Sequence, residues 1–186
     1  MGCSRSCLAA LIFILCGSAA AQQAQHVFGN PEVWQWAPSR HYHVENYKLA
    51  LHFDEAKGEV FGDEVVTLLP FDAHFRAFYL DSSELKIDSV TLEARQAKAI
   101  PLAYRTDESR LWITLDRDYP AGSALPVRIV YHGFPRTGLF FINPVPDYPN
   151  RPREVFSQGE GEFNHYWFPC WDYPNDMATR DRKSVV

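Results

Sequence analysis

Alternation of apolar and polar side chains, with a period of two residues, dominates this chain of 186 residues from Tyr47 onward. Residues 47–54 place tyrosine, leucine and phenylalanine at every second position, with lysine, alanine, histidine and aspartate between them. Successive side chains of a β-strand point to opposite faces, so this pattern predicts a strand with one buried face. An acidic, glycine-containing turn then leads into a second apolar run, residues 60–69, and the two runs predict a hairpin.

Further short apolar runs follow, separated by turns rich in Asp, Ser, Pro and Gly. They lie at residues 77–80, 85–92, 111–115, 125–131 and 138–142, with a short strand at 154–158. Residues 143–152 contain four prolines and predict a stiff surface loop. No segment has sustained helical periodicity with caps. The predicted fold class is therefore all-β, an antiparallel β sandwich or curved sheet.

The first 21 residues have the pattern of a secretory signal peptide. One basic residue, Arg5, precedes an apolar run at 8–15, and three alanines end the segment at 19–21. The apolar run is too short to cross a bilayer core of ~30 Å as a helix. We expect cleavage before Gln22, export to the periplasm or the extracellular space, and no membrane span in the mature chain. Lipid attachment at Cys16 is the alternative, which the bulky Leu15 disfavours.

The remaining chain divides into two segments. Residues 22–44 contain aromatics and prolines without periodicity and are expected to form an extended strap, whereas residues 45–186 are predicted to form one β domain. The formal net charge is -5, with acidic and basic residues interspersed. No basic stripe indicates binding to nucleic acid or to a membrane surface.

Cys170 is the single cysteine outside residues 1–21. A domain with one cysteine forms no internal disulfide, so its stability must come from a hydrophobic core. Between Pro169 and Trp171, Cys170 is interpreted as a small buried apolar residue, with a reactive thiol as the alternative.

Most candidate functional residues lie in residues 157–179. Gln158, Glu160 and Glu162 precede an aromatic, proline-rich stretch at 167–174. If the strand at 154–158 continues in extended conformation, Gln158 and Glu160 project from one face. A carboxylate and a carboxamide held together form a receptor for an ammonium group. The alternative is that Glu160 and Glu162 are solvated acids in a glycine-rich turn.

The aromatic loop, which we define as residues 167–173, permits two interpretations. Its tryptophans, phenylalanine and tyrosine form either a stacking platform for sugars or an apolar face that seals a domain boundary. His165 is interpreted as packing this loop, with contact to a partner as the alternative. His41 and His43 share a face if their segment is extended, but no third metal ligand follows at a diagnostic spacing, so they are interpreted as rim histidines.

No His-Glu-x-x-His, glycine-rich phosphate loop or serine elbow occurs in the sequence. Several other short motifs, however, stand in the order and spacing found in the aminopeptidase N family of zinc metallopeptidases, which residues 22–186 resemble over nearly their whole length. They are Gly58-Glu59-Val60-Phe61-Gly62, Leu80-Asp81, Tyr131-x-Gly133, Gln158-x-Glu160, Phe168-Pro169-Cys170 and Asp172-x-Pro174.

The resemblance implies a saddle-shaped β domain that packs on its own catalytic domain, which is missing from this chain. Zinc is expected in that catalytic domain, and no cofactor in this chain. Peptides with a free N-terminus are the implied substrates: Glu160 matches the position that fixes their amine, and Gln158 the position that lines the pocket for their first side chain. We expect the truncated chain to be inactive; the alternative is a stand-alone, non-catalytic β module that binds peptide termini or sugars through the aromatic loop.

Two departures from the family pattern stand out. Many relatives carry an arginine where this chain has His165, so a salt bridge made by that arginine is not assumed here. Residues 180–186 are poor in the apolar side chains expected of the strand that the family places next.

Overall fold

Strands make up most of the structure, a computed structural model that describes residues 38–93 and 98–184. Within these ranges there is no α-helix, and no helix long and apolar enough to span a membrane. The strands are β1 (Tyr42–Asp54), β2 (Glu59–Pro70), β3 (Phe75–Asp81), β4 (Leu85–Leu92), β5 (Ile100–Pro101), β6 (Ala103–Thr106), β7 (Arg110–Tyr119), β8 (Leu125–Gly133), β9 (Leu139–Ile142), β10 (Glu154–Ser157) and β11 (Thr179–Ser184), and one 3₁₀ turn spans Asn164–Tyr166. The signal peptide and most of the strap lie outside the described residues.

The strands form three sheets, of six, three and two strands. Their orders are β11-β1-β2-β8-β4-β5, β3-β7-β6 and β10-β9. All neighbours are antiparallel except β1 and β11, which run parallel. The predicted hairpin is β1 with β2, paired from Tyr42 opposite Pro70 to Asp54 opposite Glu59. The all-β, antiparallel fold class is confirmed.

One hydrophobic cluster takes side chains from the six-stranded and the three-stranded sheet. Leu49 of β1, Val66 of β2, Ile129 of β8 and Leu111 of β7 are all at most 1% exposed. Burying one such side chain contributes about 1.5–3 kcal/mol, so the alternating pattern itself fixes which face of each strand turns inward.

The first strand begins earlier than its pattern predicts. β1 starts at Tyr42, and a register shift between Val44 and Asn46 interrupts its pairing with β2. Tyr42 and Val44 are buried, and so are Tyr47 and Leu49, but the two pairs are out of phase by one residue. A β-bulge accommodates the extra residue. The alternation before the bulge is therefore out of phase with the alternation after it, and the sequence pattern does not reveal the first part of the strand. Residues 42–44, assigned to the strap, therefore lie in β1.

Residues 179–184 form a strand, β11, although the segment is poor in the apolar side chains expected there. β11 pairs in parallel with β1, from Thr179 opposite Asn46 to Ser184 opposite Leu51. β11 lies at an edge of the six-stranded sheet. Edge strands are held by backbone pairing and commonly carry charged residues, which deter further pairing.

Candidate functional site

The aromatic loop lies in the domain core rather than on its surface. Trp167 is 1% exposed, Phe168 4% and Trp171 7%. Phe168 makes an edge contact with Tyr47 of β1, and Trp171 one with Tyr42. The interpretations of this loop as a sugar platform or as an exposed apolar face are therefore wrong for its tryptophans and its phenylalanine.

Backbone pairing fixes the same loop to β3. The N–H of Asp81 donates to the carbonyl of Cys170 at 2.7 Å, and the N–H of Cys170 donates back at 3.0 Å. The N–H of Trp171 donates to the hydroxyl of Tyr47 at 2.9 Å. Cys170 is 2% exposed, which confirms its interpretation as a buried apolar residue.

Gln158 and Glu160 follow β10 directly, and both are exposed. β10 ends at Ser157, and the N–H of Gln158 donates to the carbonyl of Gly138 at 2.9 Å. A turn begins at Glu160, so the extended conformation on which the one-face prediction depends does not continue. We call residues 159–163 the amine turn. Two of its residues, Gly161 and Glu162, have positive φ, of 77° and 69°.

The amine turn borders an acidic cleft of about 450 Å³. The cleft is lined by residues 159–162, Asn164, residues 171–174 and Asp176, so Glu160 contributes to it and Gln158 does not. Four of the described lining residues are acidic, and none is Lys, Arg or His. An electronegative concavity of this kind favours a cationic ligand group.

Asp172 holds one wall of the cleft. Its side chain is 6% exposed, and its Oδ1 accepts a hydrogen bond from Asn164 Nδ2 at 3.0 Å. Its Oδ2 lies 2.7 Å from His165 Nδ1 and accepts from the His165 N–H at 3.1 Å. The Asp172 N–H donates to Asp81 at 3.1 Å, and burial raises the pKa of Asp81 although this bond opposes the rise. These contacts support the structural interpretation of His165.

Asp176, another lining residue of the cleft, is bonded to the start of β1. It accepts from the Val44 N–H at 2.8 Å and lies 2.6 Å from His43 Nδ1 and 2.5 Å from Arg40 Nη1. Burial by itself would raise the pKa of Asp176, but these partners outweigh it and hold the pKa below its ordinary value. His41 pairs instead with Asp72, so the structure does not bring the two histidines to one acid.

Glu160 and Glu162 are therefore the two cleft acids without a cationic partner among the described side chains. Partial burial raises the pKa of Glu162, and the negative charges of Asp172 and Asp81 add to the rise. The arrangement is suited to accept hydrogen bonds from an ammonium group. No three His, Cys, Asp or Glu side chains are grouped so as to hold a metal ion in residues 38–93 and 98–184.

The comparisons with known proteins concern the family and the fold of this domain. A family model described as the peptidase M1 N-terminal domain matches residues 43–183. No curated protein sequence matches the chain significantly.

Solved structures share the fold. The M1 zinc metallopeptidase of Deinococcus radiodurans is 20% identical, with a TM-score of 0.63 over 78% of this chain and 32% of that one. A mutant from the same organism, bound to a Tyr-Ser-Ala substrate, is 21% identical with a TM-score of 0.62, over 78% and 32%. Yeast LTA4 hydrolase in complex with bestatin is 19% identical with a TM-score of 0.62, over 77% and 23%. The chain thus spans a third or less of these proteins.

Proposed function

This chain belongs to the peptidase M1 family, of which it carries the N-terminal domain, and we propose that it is the N-terminal part of an exported zinc aminopeptidase. Its parent removes residues from the N-termini of peptides. Export rests on the signal-peptide pattern of residues 1–21. The mutant relative bound to a Tyr-Ser-Ala substrate supports peptides as the substrate class.

Glu160 is the proposed binding residue for the free amine of the substrate. The observation that carries this role is its position on the amine turn, at the border of an acidic cleft, with no cationic partner among the described side chains. Each charge-assisted hydrogen bond to an ammonium contributes about 1.5–3 kcal/mol when partly desolvated. A carboxylate at a fixed distance from the scissile bond selects chain ends and rejects internal peptide bonds.

Gln158 is the proposed lining residue of the pocket for the first side chain. It is exposed, and its backbone is hydrogen-bonded to Gly138, which precedes β9, so its side-chain amide is available to a ligand. Gln158 lies outside the acidic cleft, so in this proposal the first side chain is bound next to the cleft that Glu160 borders rather than inside it.

Zinc belongs, in this proposal, to a catalytic domain outside the present chain, where it supplies a Lewis acid and an activated water. The described residues offer no ligand group for it, so none of the steps at the metal is assigned to them. The domain's contribution is to bind and orient the substrate. We expect the 186-residue chain alone to bind no zinc stoichiometrically and to hydrolyse no aminoacyl substrate.

Replacing Glu160 in the complete enzyme tests the proposal. Glu160→Ala should lower kcat/KM for substrates with a free amine at least tenfold, equivalent to ~1.4 kcal/mol of transition-state binding. Glu108→Ala is the matched control, because Glu108 is an exposed turn glutamate outside the cleft. Unchanged kinetics for Glu160→Ala, or an equal loss in both variants, would contradict the role of Glu160.

A further inference from the structure

The amine turn has little stabilisation of its own. Its closing hydrogen bond, from the Phe163 N–H to the Gly159 carbonyl, is 3.5 Å long, at the limit of such a bond. Glu162 adopts a φ of 69°, which is unfavourable for a residue with a side chain. The conformation that places Glu160 at the cleft must therefore be maintained by contacts from outside the turn.

Asn164 provides such a contact. Its Nδ2 lies 3.4 Å from the Gly159 carbonyl oxygen. A methyl group on Gly159 would lie 2.2 Å from Asn164 Oδ1 and 2.5 Å from Nδ2, so the Gly159 backbone packs directly against the amide. Glu160 follows Gly159 in the chain. Displacing the Asn164 amide would therefore shift the Gly159 backbone and, with it, the Glu160 carboxylate.

Asp172 in turn fixes the Asn164 amide, through its 3.0 Å hydrogen bond to Nδ2. The Asp172 backbone is held by Asp81, and its neighbour Trp171 is anchored to Tyr47 in the core. A continuous series of contacts thus leads from the sheet core through Asp172 and Asn164 to the amine turn.

We propose that Asn164 and Asp172 are positioning residues for amine recognition, with Asn164 supporting the turn and Asp172 holding the Asn164 amide. This inference rests on the proposed function of Glu160. An ammonium group must be held at a fixed distance from the reacting bond, and displacement by about 1 Å can cost a hundredfold in rate. In this proposal Asn164 affects catalysis through Glu160, and Asp172 acts through the Asn164 amide in addition to its charge in the cleft lining.

A double-mutant cycle between Asn164→Ala and Glu160→Ala in the complete enzyme tests this dependence. Asn164→Ala should lower kcat/KM about fivefold in the native background but less than about twofold when Glu160 is already alanine, because the interaction that it supports is then absent. A residue with a merely structural role would cause the same loss in both backgrounds.

Gly159→Ala provides a second variant, since its methyl group would displace the Asn164 amide. The Asp172 carboxylate would keep its contacts with His165. This variant should show the same dependence on Glu160, and it decides the question if Asn164→Ala fails to fold. Asn143→Ala is the matched control: Asn143 also donates its amide to a backbone carbonyl, that of Glu55, at 2.8 Å, but outside the cleft. It should leave amine recognition unchanged.

The outcomes separate the two proposals. If Glu160→Ala changes nothing, the proposed function of Glu160 is wrong, and the positioning role with it. If Glu160→Ala lowers kcat/KM tenfold while Asn164→Ala and Gly159→Ala act equally in both backgrounds, or have no effect, only the positioning role is wrong.

Discussion

Two buried carboxylates in different regions of the molecule have opposite surroundings. Asp172, in the cleft wall, is 6% exposed and is bonded by Asn164 and His165. Glu64, on the core face of β2, is 0% exposed, and neither of its oxygens accepts a hydrogen bond from a described residue. Removal from water is unfavourable for both acids, but only Asp172 has partners that offset it. The buried Asp172 carboxylate therefore stabilises the segment that it bonds, whereas the buried Glu64 carboxylate lowers the stability of the folded domain.

Breaking the Asp172 network should have the largest effect on stability. Asp172→Ala removes the acceptor of the His165 ring and leaves the Asn164 amide only its 3.4 Å contact with the Gly159 carbonyl. We expect the free energy of unfolding to fall by about 3 kcal/mol. Urea denaturation of the 186-residue chain measures this. A loss below about 1 kcal/mol would mean that Asp172 organises its region no more than an exposed acid does.

Glu64 should give the next largest effect, and one that depends on pH. Burial raises its pKa well above the ordinary 4.5, so the folded chain binds a proton that the unfolded chain releases above that pH. The contribution of Glu64 to stability is thus complete below pH 4.5 and is lost as pH rises towards the folded pKa, by up to ~1.4 kcal/mol per pH unit. Tyr47 and Tyr131 are titratable groups that interact with the charge of Glu64. Burial raises the pKa of both hydroxyls well above 10, so both stay neutral in this window.

Glu64→Gln removes the ionisation and keeps the shape. The free energy of unfolding of the variant, minus that of the native chain, should therefore increase between pH 5 and 8, within the slope of ~1.4 kcal/mol per unit that one proton allows. Chemical denaturation at a series of pH values gives the difference directly. A difference that does not change with pH would show that Glu64 has a partner in solution and that the contrast with Asp172 is wrong.

The fold could be predicted from the sequence wherever a strand buries one face regularly. β2 and β8 alternate through Val66 and Ile129, and the pattern alone locates them. The alternating pattern does not locate the start of β1 at Tyr42, because a bulge changes its phase. It does not locate β6 either, because all four side chains are exposed and neither face is buried. It also fails at β11, whose place depends on backbone pairing with β1 rather than on apolar side chains.

The site could be predicted only in part. The short motif at 158–160 predicts Glu160 as a binding residue, but the surroundings of this residue depend on contacts between distant parts of the chain. The pairing of Asp81 with Cys170 buries the aromatic loop, and the Asn164–Asp172 bond supports the amine turn. Sequence spacing carries no signal for either contact. The Asp172-x-Pro174 motif marked the position of the acid but not what it binds.

Asp63 is an exposed acid, unlike Asp172 and Glu64, and its replacement should have the smallest effect on stability. It lies next to Glu64 in sequence but on the opposite face of β2, with Oδ1 2.7 Å from Arg128 Nε and Oδ2 2.5 Å from Nη2. The two side chains are 41% and 45% exposed, so water and salt weaken the attraction between them. Asp63→Ala should lower the free energy of unfolding by about 0.5 kcal/mol or less, and less still at ~1 M salt. A loss above about 2 kcal/mol that persists in salt would contradict this comparison. It would mean that burial does not determine how much an acidic residue contributes to the stability of this domain.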